Sequence, residues 1–208
     1  MINVWDFIDL YQVKKSDLHL AEKVMAKAYH VAEEEFQFKN ASKNLKFLEN
    51  LMHTTIKYTI KYGRVYAPSP NLEGVAAWLP SDKIFISDWQ YIRNGILIPV
   101  IMAGKSWLKK MRVYNDLCKK KHREHANFPH LYLYNLAVLP EQQKKGHASK
   151  LLYPVLAALD QFGLACYLET NEGNVPLYEH FGFQVFDQIF VRELDLKAYF
   201  MLRKNKQN

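Results

Sequence analysis

Gln143-Lys144-Lys145-Gly146-His147-Ala148 is the stretch whose residue types and spacing could do chemistry. It lies inside residues 131–152, LYLYNLAVLPEQQKKGHASKLL, which read as a strand, a turn and the opening of a helix. The first amides of a helix have no partner within it, and the helix dipole favours negative charge at that end. Gly146 and Ala148 are small, so a diphosphate could reach the main chain there without meeting a branched Cβ. Residues 131–139 are apolar and aromatic, as expected of a strand covered on both faces. Pro140, which has no N–H to donate, ends that ladder. The chemistry on offer is anion binding by backbone.

A second stretch, Asn171-Glu172-Gly173-Asn174-Val175-Pro176-Leu177-Tyr178-Glu179-His180-Phe181-Gly182-Phe183, follows after a helix and a strand. Together the two resemble the GNAT (Gcn5-related N-acetyltransferase) superfamily. The first matches that family's Q/R-x-x-G-x-G/A signature, placed after a strand ending Leu136-Ala137-Val138-Leu139-Pro140. The second matches its N…LYE-x-x-GF segment. The likeness is specific over the C-terminal third and only permissive before it. Gly74-Val75-Ala76-Ala77-Trp78-Leu79-Pro80 is also similar to the third strand of small-molecule members, including puromycin N-acetyltransferase-like enzymes.

The resemblance implies an α/β, three-layer fold of the acyl-CoA N-acyltransferase kind. Its central twisted sheet would be mixed and mostly antiparallel, flanked by helices, with a parallel strand pair at the cofactor site. Acetyl-CoA would be the cosubstrate, with no metal, and the acetyl group would pass directly to a primary amine of a small molecule in a ternary complex. The main chain of Leu136, Ala137 and Val138 would hold the pantetheine arm like an added strand, with the Val138 N–H as the oxyanion contact. Gln143 opens the loop in which the amides of Lys144, Lys145, Gly146, His147, Ala148 and Ser149 would hold the pyrophosphate. Tyr178 stands where the family often has its general acid, and a phenol stays protonated at neutral pH. The competing reading of Tyr178 is an aromatic packed between helix and sheet. Asn171 and Asn174 would contact the cofactor, cap a helix, or both. His147 and His180 are either cofactor contacts or partly exposed histidines.

The general base stays open between Glu169, the run Glu33-Glu34-Glu35 and a water relay. The Glu33-Glu34-Glu35 run would hold a cationic amine or form a solvated helix face. Two other functions compete: a non-catalytic acetyl-CoA-binding domain that docks a partner through its basic surface, and an acetyltransferase of a protein or peptide amine.

Two apparent motifs carry little. Gly104-Lys105-Ser106 ends like a phosphate-binding loop, but position 99, where that motif needs glycine, is Pro99. Cys118, His122 and His125 share one face of a helix, as metal ligands would, yet three candidates in a lysine-rich run fit a chance cluster better.

The elements that must position these groups follow from periodicity. Residues 14–62 read as helical, capped by Ser16 or Asp17, with apolar stripes at Leu20, Val24, Ala28 and Val31 and at Leu45, Leu48, Leu51, Met52 and Ile56. Arg64–Ala67 and residues 74–79 read as a hairpin around a PSPN turn. Residues 83–127 read as an insertion of aromatic and apolar helices that packs on the sheet or walls a substrate pocket. After Gly146 a helix runs through Leu151, Leu152, Val155, Leu156, Leu159 and Phe162, bent at Pro154 and stopped at Gly163. Residues 164–168 form a buried strand parallel to the one at 131–138. A short helix at 174–181, strands within 183–194 and a frayed tail from Arg203 complete the reading.

Composition bounds the rest. The 208 residues are 49% hydrophobic and 24% charged, which suits one domain over 1–208 with a substantial core. The net charge of +7 reads as solvated lysine faces, or as a surround for an anionic coenzyme, with no nucleic-acid partner. Cys118 and Cys166 make no disulfide framework, the N-terminus lacks a signal peptide's order, and residues 95–104 are too short to span a bilayer. The expectation is a cytoplasmic monomer or homodimer with no membrane partner, binding coenzyme A and a small amine.

Overall fold

The computed structural model describes residues 4–32 and 45–204. Among these residues seven strands make one sheet in the order β1-β2-β3-β4-β5-β7-β6: β1 Tyr11–Gln12, β2 Arg64–Ala67, β3 Gly74–Pro80, β4 His130–Val138, β5 Ala165–Asn171, β6 Gln184–Val191 and β7 Leu196–Arg203. Every neighbouring pair is antiparallel except β4 and β5. Among the described residues six α-helices flank it: α1 Leu18–Ala32, α2 Leu45–Tyr62, α3 Asp88–Asn94, α4 Leu97–His125, α5 His147–Phe162 and α6 Val175–His180. This is the mixed open sheet expected from the sequence. Among the described residues no helix is long and apolar enough to cross a membrane.

The core divides across the sheet. One side packs α1 and α2 on β2 and β3 through Met25, Ile56, Val75 and Ala77. The other packs α5 on β3, β4 and β5 through Trp78, Leu133, Leu152, Leu159 and Leu168. Fully burying one such Leu or Ile removes enough apolar surface to contribute about 1.5–3 kcal/mol.

Several local readings need correction. In α1 the buried stripe is Ala21, Val24, Met25 and Ala28, whereas Leu20 and Val31 are exposed. The side-chain direction of a helix shifts the covered face by one position, which sequence spacing alone does not fix. The Asp17 carboxylate accepts from the Lys14 N–H and the Tyr11 hydroxyl, so it closes the turn before α1 rather than capping α1 itself. Several apolar residues of the insertion face outward instead of packing on the sheet: Trp89 is 65% and Ile101 79% exposed, and Leu97 and Ile98 are exposed with them. Gly104 breaks α4 at φ 80° and ψ 176°, splitting it into two helical runs and giving Gly104-Lys105-Ser106 no phosphate-loop geometry.

Arg203, where a frayed tail was expected to begin, instead closes β7, and residues 205–208 lie outside the described residues. β7 inserts between β5 and β6, and Arg203, at its end, is 7% exposed. Glu33, Glu34 and Glu35 lie outside the described residues.

Candidate active site

The parallel pair is short, and that shortness makes the site. β4 and β5 pair at His130↔Ala165, Leu131↔Cys166 and Tyr132↔Tyr167, and no pairing continues beyond Tyr132. β4 runs on to Val138 and β5 to Asn171. Two strands that stop pairing leave backbone groups unsatisfied along the facing edges. Opposite β3, Ala77 faces Asn135 and Trp78 faces Leu133, so Tyr134 is an extra residue in β4. Such a bulge bends the strand and re-aims its side chains. It falls where the strands part.

Two cavities meet in this opening. The smaller, about 190 Å³, is lined by Leu136, Ala137, Val138, Gln143, Asn174 and Tyr178 among others. The larger, about 290 Å³, is walled by α4 residues Tyr114, Cys118 and His122 and by Tyr91 of α3. Tyr29, Tyr134, Asn135, Glu169 and Thr170 line both. Leu136, Ala137, Val138, Gln143, Asn174 and Tyr178 thus come together from a sequence span of over 40 residues, and part of the 83–127 segment stands as the wall of the neighbouring cavity.

The remaining loop residues lie beside the smaller cavity. After Pro140–Gln142 the chain enters Lys144 at φ 60° and Gly146 at φ 80°, both left-handed, and α5 begins at His147. Left-handed residues next to a helix start turn successive amides to one side, a concavity suited to anions. A Cβ built on Gly146 meets nothing within 4 Å, so the loop faces open space. His147 Nδ1 is buried without a hydrogen-bond partner among the described residues. Gln143 Nε2 lies 3.4 Å from the Val138 carbonyl and ties the loop to the strand end. Lys145 instead reaches Gln142. Ala148 and Ser149 form the first turn of α5.

Asn171 caps the turn that leads into α6, its Oδ1 accepting from the Asn174 N–H at 3.0 Å. Tyr178 is buried and both packs and lines: its ring meets Phe183 edge-on at 5.9 Å, and it faces the smaller cavity. Burial pushes its phenol well above the ordinary range, so it stays protonated. His180 is exposed beside Tyr153, away from both cavities.

Glu169 is the charged group at the junction. The hydroxyls of Tyr132 and Tyr167 donate to its two oxygens at 2.8 and 2.9 Å. Burial raises its carboxyl above the usual range, against the opposing pull of those donors and of Cys118. Tyr167 and Glu169 share one face of β5 by the strand period of two. That spacing is the signal by which the tyrosine could have been found. Tyr29, whose hydroxyl oxygen accepts from Asn135 Nδ2 at 2.8 Å, had no such sequence signal, because the two residues are 106 positions apart.

Cys118 and His122 face the larger cavity, but His125 turns away to Asp187 at 3.3 Å. The three do not converge, and among the described residues no group of three or more His, Cys, Asp or Glu side chains could hold a metal ion.

The sequence pattern of the acetyltransferase (GNAT) family matches residues 112–183. An uncharacterised N-acetyltransferase of Schizosaccharomyces pombe is 41% identical over 61 residues, which is 29% of this chain and only a quarter of that relative's length. Among solved structures, a histone acetyltransferase HPA2 and related acetyltransferase from Corynebacterium glutamicum superposes with a TM-score of 0.65 at 19% identity, covering 96% of this chain and 97% of that one. The C-terminal condensation domain of Ebony, in complex with beta-alanyl-dopamine, gives 0.65 at 8% identity over 95% and 98%. Naa20 of Chaetomium thermophilum, in complex with a bisubstrate analogue, gives 0.52 at 15% identity over 96% and 88%. At these identities the structures share the fold alone. The matched segment, about a third of the chain, contains the Gly146 loop, Glu169 and Tyr178.

Proposed function

We propose that this chain is an acetyl-CoA-dependent N-acetyltransferase whose acceptor is a primary amine of a small molecule, built as one domain over residues 1–208. The observation that carries the reading is the pair of cavities joined at the parted strands, one beside an anion loop and the other walled by side chains.

The residues present fit coenzyme A. The open loop at Gly146 and the first amides of α5, at Lys144, Lys145, His147, Ala148 and Ser149, receive the pyrophosphate. The free edge of β4 at Leu136, Ala137 and Val138 receives the pantetheine amides as a neighbouring strand would. His147 Nδ1, which has no partner among the described residues, accepts from the coenzyme or its bound water in this reading.

Acetyl-CoA supplies the acetyl group as a thioester. The chain does the rest. The Val138 N–H holds the acetyl oxygen as negative charge builds there. Glu169, or a water beside it, takes a proton from the acceptor's ammonium, and a carboxyl raised by burial is better matched to that task near neutral pH than an ordinary one. Tyr178 gives a proton to the departing thiolate, since its own phenol is held protonated. Holding both reactants in adjoining cavities makes the attack effectively unimolecular.

Calorimetric titration with acetyl-CoA, followed by free-thiol release over a library of amines, tests the reading. Binding with thiol release on a small amine is the expected result. Release on peptide amines alone would move the acceptor to proteins, and no coenzyme binding would end the proposal.

A further inference from the structure

Beyond the three hydroxyl or thiol donors around Glu169, residues that line the larger cavity carry acceptors with nothing to accept. His122 is 5% exposed on its wall, and His122 Nδ1 is buried without a partner among the described residues. The tautomer follows from the neighbours. His130 Nδ1 lies 2.8 Å from the Phe128 carbonyl, which can only accept, so this nitrogen carries the proton. His130 Nε2 is then the lone pair of a neutral ring, and at 3.0 Å it accepts from His122 Nε2. That leaves His122 Nδ1 as an unmet acceptor. Asn135 Oδ1 is a second one, at the other end, where the two cavities join.

The cavity has a direction. Glu169, Asn135 and Thr170 belong to both cavities, so they mark the end nearest the transferred group. His122, Phe85 and Lys119 line the larger cavity alone and mark the far end. Cys118 stands next to Glu169, and His122 is one helical turn, about 6 Å, further along α4. The rings of Tyr91, Tyr114, Tyr132 and Tyr134 line the same cavity. At about 290 Å³ the space is at the bottom of the range of small-molecule sites, roughly 300–1,000 Å³. Glu169 is the only acid on the described wall, and Lys119 sits on it too. One cation is accommodated, and a second would meet Lys119 or a ring edge.

We infer that the larger cavity takes a compact mono-amine with an aromatic body and a hydrogen-bond donor at the end away from the amine. Glu169 and Asn135 receive the ammonium, the tyrosine rings hold the body, and Nδ1 of His122 accepts the distal hydroxyl or ring N–H. The ammonium also meets ring faces, which attract cations. An analogue without the distal donor leaves His122 Nδ1 desolvated and unpaired, which is how a polar pocket rejects it. This inference rests on the acetyltransferase reading for its turnover, but not for its binding.

The test compares tyramine, phenethylamine, 4-methylphenethylamine, spermidine and a lysine-bearing peptide, by steady-state thiol release and by calorimetry of each amine on the full chain. Tyramine should bind about tenfold more tightly than phenethylamine, with the difference in KM rather than kcat. His122→Phe should erase that preference, and His122→Gln, which keeps an acceptor, should restore part of it. Glu169→Gln should weaken every amine and remove the acid limb of the kcat/KM profile, while melting curves check that each variant folds. Equal affinity for tyramine and phenethylamine overturns the distal contact, and preference for spermidine or the peptide overturns the substrate class. Acetyl-CoA that fails to bind ends the transferase reading alone, because amine calorimetry still decides the cavity.

Discussion

Arg203, at the end of β7, forms a two-pronged ion pair with Asp160 of α5, its Nη1 and Nη2 donating at 2.8 and 2.7 Å, while its Nε donates to the Phe181 carbonyl at 3.1 Å. One guanidinium therefore joins the helix behind the anion loop, the last-paired strand and the end of the helix that carries Tyr178. Bidentate pairing of this kind adds geometric specificity to its energy. Arg203→Met should strand the Asp160 carboxylate and the Phe181 carbonyl. Removing one member of a fully buried pair costs about 3–5 kcal/mol, and because Asp160 keeps some exposure the expected loss is about 2–3 kcal/mol. Urea unfolding measures it. A loss below about 0.5 kcal/mol would place the pair with ordinary surface bridges.

Acid should destabilise the fold well before the carboxylates titrate. Burial and the neighbouring His130 push His122 from 6.5 down to about 4. Its folded pKa is depressed, so between those two values the unfolded chain holds a proton that the folded chain does not. The stability is present above pH 6.5 and is lost as pH falls towards 4. At 1.36 kcal/mol per unit this is about 3 kcal/mol. His130, also pushed down by burial, adds to the same loss. Glu169, pushed up, acts in the opposite sense and lowers stability as pH rises through its titration. Unfolding free energies at pH 4, 5, 6 and 7 should fall steeply towards acid in the wild type and less steeply in His122→Phe. Parallel curves for the two would remove His122 as the cause.

Much of this was legible in the chain. Continuous apolar runs and turn residues placed β2, β3 and β4, and Gly146 and Gly163 marked the ends of α5. These are local signals, set by backbone preference and burial. What the sequence hid is nonlocal. The three-residue length of the β4–β5 pairing, the extra Tyr134 and the insertion of β7 between β5 and β6 depend on how distant strands meet. The site divides in the same way. Gln143, Gly146 and Tyr178 stand in compact motifs, whereas the grouping of Tyr132, Tyr167 and Cys118 around Glu169 needs three separate elements to be folded first. His122 read as one member of a charged run because its burial is decided by Phe85, His130 and Tyr167, which are remote or on other elements.

Tyr178→Phe separates the packing role from the chemical one. The ring still meets Phe183, so the core around α6 keeps its shape. Only the hydroxyl is lost from the smaller cavity. If that hydroxyl protonates the thiolate, kcat should fall about 10²–10⁴-fold, the usual worth of a positioned acid. The acetyl-CoA dissociation constant should stay within about twofold, since no charge–charge contact is removed. Stopped-flow thiol release and calorimetry on one preparation measure both. Unchanged kcat would return Tyr178 to a packing residue.

Gly146 offers a graded test of the anion loop. Its φ of 80° is left-handed, so any L side chain pays about 1–2 kcal/mol in strain. Its Cβ direction is otherwise empty, so an added side chain meets no protein atom. Gly146→Ala and Gly146→Leu should therefore lose similar stability in thermal unfolding. They should differ in coenzyme binding. The alanine methyl reaches only the edge of the space where the pyrophosphate would approach the α5 amides, whereas the leucine fills it and separates the phosphates from those donors. A loss of several-fold for alanine and over a hundredfold for leucine is expected in calorimetric titration with coenzyme A. Equal, small losses for both would mean that the loop is strained for a reason of its own and that the pyrophosphate binds elsewhere.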